Sequence, residues 1–70
     1  MHTELESQIK KVLVIGLGQL GLPVAKYVKD RGYETFGYDI NRRRVEDAEK
    51  NYGIKSIKRF DDIDVFILCV

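Results

Sequence analysis

The sequence predicts an α/β fold built on a parallel sheet, and three observations predict it. Residues 12–15 (VLVI) and 65–70 (VFILCV) are continuous apolar runs, the pattern of strands buried on both faces of a parallel sheet. Between them lie two stretches of helical periodicity, each followed by a glycine, Gly32 and Gly53. The resulting order is strand, helix, strand, helix, strand, strand. With right-handed crossovers, that order makes the first half of a doubly wound sheet, with about four strands and two main helices.

Each element has its own signal. Residues 1–9 read as a polar lead-in and residues 10–70 as the folded unit, and the lead-in lacks the apolar segment of a secretory signal. Leu20, Val24, Tyr27 and Val28 form one helical stripe, so a helix is predicted from about Leu20 to Gly32. Pro23 falls in its opening turn, where a missing N–H and a fixed φ are tolerated. Residues 33–39 (YETFGYD), aromatic and β-branched, predict the second strand, with Gly37 a point of close packing. Asn41 is a preferred N-cap, and Ile40 and Val45 are spaced as a hydrophobic staple. A helix from Arg42 to about Tyr52 follows, with Val45, Ala48 and Tyr52 inward and Gly53 closing it. Residues 54–57 (IKSI) predict a short third strand, and residues 59–64 (RFDDID) a turn with room for one helical turn. In a 3-2-1-4 strand order the last strand has an unpaired outer edge. The expectation is that the chain is a fragment of something longer, or that a second copy covers this edge in a homo-oligomer.

Composition narrows the function classes. Seventy residues with 44% apolar and 33% charged content make one globular unit near the lower size limit for a single core. A net charge of +1 supplies no electrostatic attraction for nucleic acid or an anionic membrane, and neither is expected as a partner. The longest apolar run is far shorter than the ~20 residues of a membrane span. A single cysteine, Cys69, excludes an internal disulfide and a cysteine-based zinc cluster, which suits the cytoplasm.

The informative stretch is residues 14–25, VIGLGQLGLPVA. Gly16, Gly18 and Gly21 spell G-x-G-x-x-G directly after a predicted strand and at the start of a predicted helix. The first glycine permits the sharp turn, the second lets main chain approach a pyrophosphate, and the third lets the helix lie close to the sheet. Free N–H groups of the helix's first turn then make a backbone anion site. The same glycines could serve a tight turn with no ligand. Asp39 argues for the ligand, because it ends the second strand near the ~20-residue spacing expected of the acid that holds an adenosine ribose. A carboxylate there accepts from the hydroxyls of NAD and repels the 2′-phosphate of NADP, so NAD is favoured, and an aspartate rather than a glutamate favours it over FAD.

Arg42, Arg43 and Arg44 open the second helix, where cations oppose the helix dipole. One arginine is available to stack on adenine or hold a 2′-phosphate. The plainer alternative is a solvated cationic turn paired with Glu46 and Asp47.

VIGLGQLGLPVA, GYETFGYDIN and the following RRRVE resemble the amino-terminal NAD-binding domain of the UDP-glucose/GDP-mannose dehydrogenase family. The likeness covers roughly residues 12–46 and is most specific in GLP and DIN. It implies a Rossmann-type fold, pyrophosphate held at Gly16, Gly18 and Gly21 with Gln19 and Leu20 shaping the loop, and ribose held by Asp39. It also implies NAD-dependent oxidation of a sugar-nucleotide alcohol. Gln19–Leu20 replaces that family's usual Tyr-Val, and the compact spacing beyond DIN is similar to the hydroxyisobutyrate and 6-phosphogluconate dehydrogenase group. That group reads the 2′-phosphate of NADP through an Asn-Arg pair, here Asn41 and Arg42, which keeps NADP as the alternative.

Dehydrogenase chemistry needs a group to take the alcohol proton, and no residue here fills that role. His2 lies in the lead-in, and Cys69 sits in an apolar strand as a small hydrophobe. The expectation is the cofactor-binding part of a dehydrogenase with no catalytic residue of its own. A regulatory nucleotide-binding module similar to the RCK domains of potassium channels is the alternative.

Overall fold

The computed structural model describes residues 9–69. The lead-in lies outside them except for Ile9, as do His2 and the strand end expected at Val70. The elements are β1 (Lys11–Ile15), α1 (Gly21–Asp30), β2 (Glu34–Tyr38), α2 (Arg42–Tyr52), β3 (Lys55–Ser56) and β4 (Val65–Leu68). All pairings are parallel, in the order β3-β2-β1-β4. This is the predicted α/β half-sheet.

β1 is central because its residues are apolar on both faces, and Val12, Leu13 and Val14 are all buried. On one face Val14 joins Leu17, Ala25, Ala48 and Ile54 in the core beneath the helices. On the other, Leu13 stands in register with Phe36 and Phe66. Phe66 stacks with Phe60 of the β3–β4 connection at 6.4 Å between ring centroids. That connection holds a Phe60–Ile63 turn and no helix.

Both helices end where glycine turns the chain, with φ of +98° at Gly32 and +69° at Gly53. Beyond α1, the N–H groups of Gly32 and Tyr33 donate to the carbonyls of Lys29 and Val28, which completes a Schellman motif. Asn41 caps α2 by accepting from the Arg43 N–H at 3.0 Å.

Three packing expectations need correction. The inner line of α1 runs through Gly21, Ala25 and Val28, whereas Leu20 and Tyr27 are 75% and 64% exposed. A stripe drawn through large apolar residues missed that the smallest residues set how closely a helix approaches a sheet. The staple does not form, since Ile40 is 93% exposed while Val45 packs on the core. Tyr52 sits at the rim of α2 with the Lys26 ammonium 5.9 Å from its ring centre.

Asp64, read only as part of a turn, fastens the lower end of the sheet. Its Oδ2 accepts from the N–H groups of Lys10 and Lys11 at 2.9 and 2.8 Å, and its own N–H donates to the Lys11 carbonyl. β4 is thereby locked to the start of β1.

Candidate functional site

From β1 the chain passes to β2 on one side and β4 on the other, so a crevice opens at the carboxyl ends of the strands where the direction reverses. A cleft of about 490 Å³ lies there, and Ile15 and Tyr38, which end β1 and β2, reach it together with Cys69, the residue just after β4. Gly16, Gly18, Gln19, Leu20 and Gly21 line one wall, and Asp39, Ile40 and Arg44 the opposite one.

The glycines differ in what holds them. Gly16 has φ +96°, and a Cβ there would run into the Cys69 carbonyl. A Cβ on Gly21 would collide with the Gly16 carbonyl oxygen. Both are therefore demanded by the fold itself. Gly18 is outside the positive-φ region, and its Cβ would meet only the tip of the Arg44 side chain, 3.2 Å away. The protein's own packing does not require a glycine at 18. A ligand that lies against the main chain does.

Beside this bare backbone, α1 begins with no side-chain cap and no acidic residue in its first turn. Among the described residues the N–H groups of Gly18, Gln19, Leu20 and Gly21 have no acceptor. Unpaired donors at a helix N-terminus, with room left by a missing Cβ, fit a pyrophosphate.

Asp39 is only 8% exposed. Its Oδ2 accepts from the Leu17 N–H at 2.7 Å and its Oδ1 from the Asn41 N–H at 2.8 Å. These two bonds, aided by the Arg44 guanidinium, hold its carboxyl below the usual aspartate range despite the opposing effect of burial. Arg44 Nη1 lies 3.7 Å from Oδ2, an ion pair too long for a hydrogen bond. Each carboxylate oxygen keeps a lone pair for a further donor.

The structure thus gathers Gly16, Gly18, Gln19, Leu20, Gly21 and Asp39 at one cleft, but not Asn41 and Arg42. The Asn41 side chain is engaged in capping α2, and Arg42 lines an adjoining depression with Val45 and Glu49, on the far side of Tyr38 and Asp39, which border both. Arg44 is the arginine at the cleft. Helical side chains lean toward the N-terminus, and Arg44 at the third helical position reaches back over the cap, a geometric signal that the sequence contained. Among the described residues no arginine of the trio pairs with Glu46 or Asp47. Leu17, the residue between the first two glycines, was also missed. It is buried against Gly37, where a Cβ would fall 2.9 Å from its Cδ1.

Fold and cleft together define an NAD-binding domain of the dehydrogenase type. The chain belongs to the D-isomer specific 2-hydroxyacid dehydrogenase family, NAD-binding domain, whose family model matches residues 1–70. The likeness to sugar-nucleotide dehydrogenases is also borne out. The UDP-N-acetyl-D-mannosamine dehydrogenase of Methanococcus vannielii is 48% identical over 44 residues, which are 63% of this chain and 10% of that protein. The enzyme of the same name from Methanocaldococcus jannaschii is 32% identical over 80 residues, covering 87% of this chain and 19% of its own. Pyrrolysine synthase of Methanosarcina barkeri is 38% identical over 50 residues, 71% of this chain and 19% of that one. This chain spans 10–19% of the length of these three relatives. NAD is the cofactor of the family's domain. Among the described residues no helix is long and apolar enough to cross a membrane.

Proposed function

We propose that the cleft holds the adenosine and pyrophosphate half of NAD, and that residues 10–70 serve as the cofactor-binding unit of a dehydrogenase acting on a CH–OH group, with a sugar nucleotide as the favoured substrate class. The carrying observation is Gly18, a glycine that the packing around it does not require, set among unpaired N–H groups opposite a carboxylate. Gly18 to Gly21 donate to the pyrophosphate and Asp39 accepts from the ribose hydroxyls through its remaining lone pairs. Arg44 closes the wall over Gly18 and lies 3.7 Å from Asp39, whose carboxyl the Leu17 and Asn41 N–H groups hold below the usual range. Exposed Leu20 and Ile40 supply apolar surface at the rim for the adenosine.

NAD, when bound, supplies the hydride acceptor. The residues of this chain hold and orient it. Relatives named for a sugar-nucleotide oxidation and for an amino-acid synthesis share this stretch, which supports a cofactor role over a substrate role for it. The outer edge of β4, with Phe66 and Leu68 52% and 68% exposed, is where a second copy would dock in a homo-oligomer, and the cytoplasm is the proposed location. Calorimetric titration with NAD, NADP and ADP-ribose tests the reading. NAD and ADP-ribose should bind and NADP more weakly, with the preference lost in Asp39→Ala. Equal binding of all three by both proteins would remove the ribose assignment.

A further inference from the structure

The carboxylate of Asp39 stands between two loops whose one backbone link among the described residues lies at their base, from the Gly16 N–H to the Tyr38 carbonyl at 2.8 Å. One loop is the glycine turn after β1, gripped at the Leu17 N–H, and the other is the turn into α2, gripped at the Asn41 N–H. The side chain is almost fully buried, and each oxygen already carries one short bond in the ligand-free protein. Leu17 lies directly between Gly16 and Gly18, and its side chain is pinned against Gly37. A tether at its N–H therefore sets where the next N–H groups point.

We propose that Asp39 is the positioning residue of the phosphate loop, holding it ready for a diphosphate whether or not a ribose is present. This deepens the function proposed above and rests on it, since it concerns the same cleft. It adds a role that ribose recognition does not contain. The two roles predict opposite signs for a ribose-free ligand. If Asp39 only accepts from ribose, replacing it with a neutral residue removes a negative charge beside the anion site, and inorganic pyrophosphate binds equally or more tightly. If Asp39 positions the loop, the same replacement releases Leu17, and pyrophosphate binds more weakly although repulsion has been removed.

The experiment titrates inorganic pyrophosphate and ADP-ribose into the full chain and its Asp39→Asn and Asp39→Ser variants. The expected result is a loss of roughly tenfold in affinity for both ligands, the loss typical of a charged hydrogen-bond partner. Weaker ADP-ribose with unchanged or stronger pyrophosphate would overturn the positioning role and leave the ribose assignment standing. Binding of neither ligand by the unsubstituted protein would overturn both. Should the variants fail to fold, amide NMR of the unsubstituted protein decides. As pH falls, the Leu17 and Asn41 amide signals should move together with one midpoint below the ordinary aspartate value. Independent or absent movement would refute the tether.

Discussion

Replacing Gly18 with alanine should weaken NAD binding while leaving the fold intact, and replacing Gly21 with alanine should do the reverse damage first. At Gly18 the new Cβ meets Arg44 Nη1 at 3.2 Å, the end of a half-exposed side chain that can swing aside. Its φ is not in the left-handed region, so the backbone accepts alanine and the unfolded chain loses some freedom, a gain of ~0.4–1 kcal/mol. The melting temperature should stay within about 5 °C of the parent, at ~4–8 °C per kcal/mol for a domain this small. At Gly21 the Cβ is driven into the Gly16 carbonyl, which belongs to a backbone already tight against Cys69. Overpacking of this kind costs ~1–3 kcal/mol or more and exceeds the ~0.5–1 kcal/mol gained by alanine in a helix. A melting temperature lower by roughly 5–15 °C is expected. Affinity for NAD at position 18 should drop by ~10–100-fold, the worth of one hydrogen bond to a charged group. Paired thermal denaturation and calorimetry read both quantities. If Gly18→Ala unfolds the protein as readily as Gly21→Ala, or binds NAD as the parent does, the assignment of one glycine to the ligand and the other to the fold is wrong.

Acid should destabilise the protein through three carboxylates. Asp39, Asp64 and Glu34 all have pKa values lowered in the fold, the first two by backbone N–H groups and Glu34 by its bond to Lys55. A lowered folded pKa gives stability that is complete above the unfolded value of about 4 and is lost as pH falls through the folded value. Denaturant midpoints should therefore be insensitive to these groups from pH 6 to 8 and fall below about pH 4, and a midpoint still flat at pH 3 would count against the three bonds. Asn41→Ala should cost ~1 kcal/mol of stability through loss of the cap on α2 and leave the NAD dissociation constant unchanged in calorimetry. A weakened NAD complex of a fully folded Asn41→Ala protein would return Asn41 to the site.

The sequence alone determined the alternation of strands and helices, the glycine that ends each helix, the cap at Asn41 and the pairing of a glycine loop with Asp39. These are local matters, decided by whether a residue can adopt a turn, supply a donor or repeat at a given period. The tertiary structure decided which face of α1 turns inward, where Ala25 and Gly21 win over Leu20 and Tyr27 because closeness of approach depends on the sheet opposite. It fixed Arg44 beside Asp39: the backward lean of a side chain at the third helical position is local, but the position of the helix relative to β2 sets whether that lean reaches the carboxylate. It also revealed that Asp39 and Asp64 fasten opposite ends of the sheet. A carboxylate's partners are backbone groups 22 and 53 residues away in the chain, and proximity of that kind is a product of packing that no local pattern encodes.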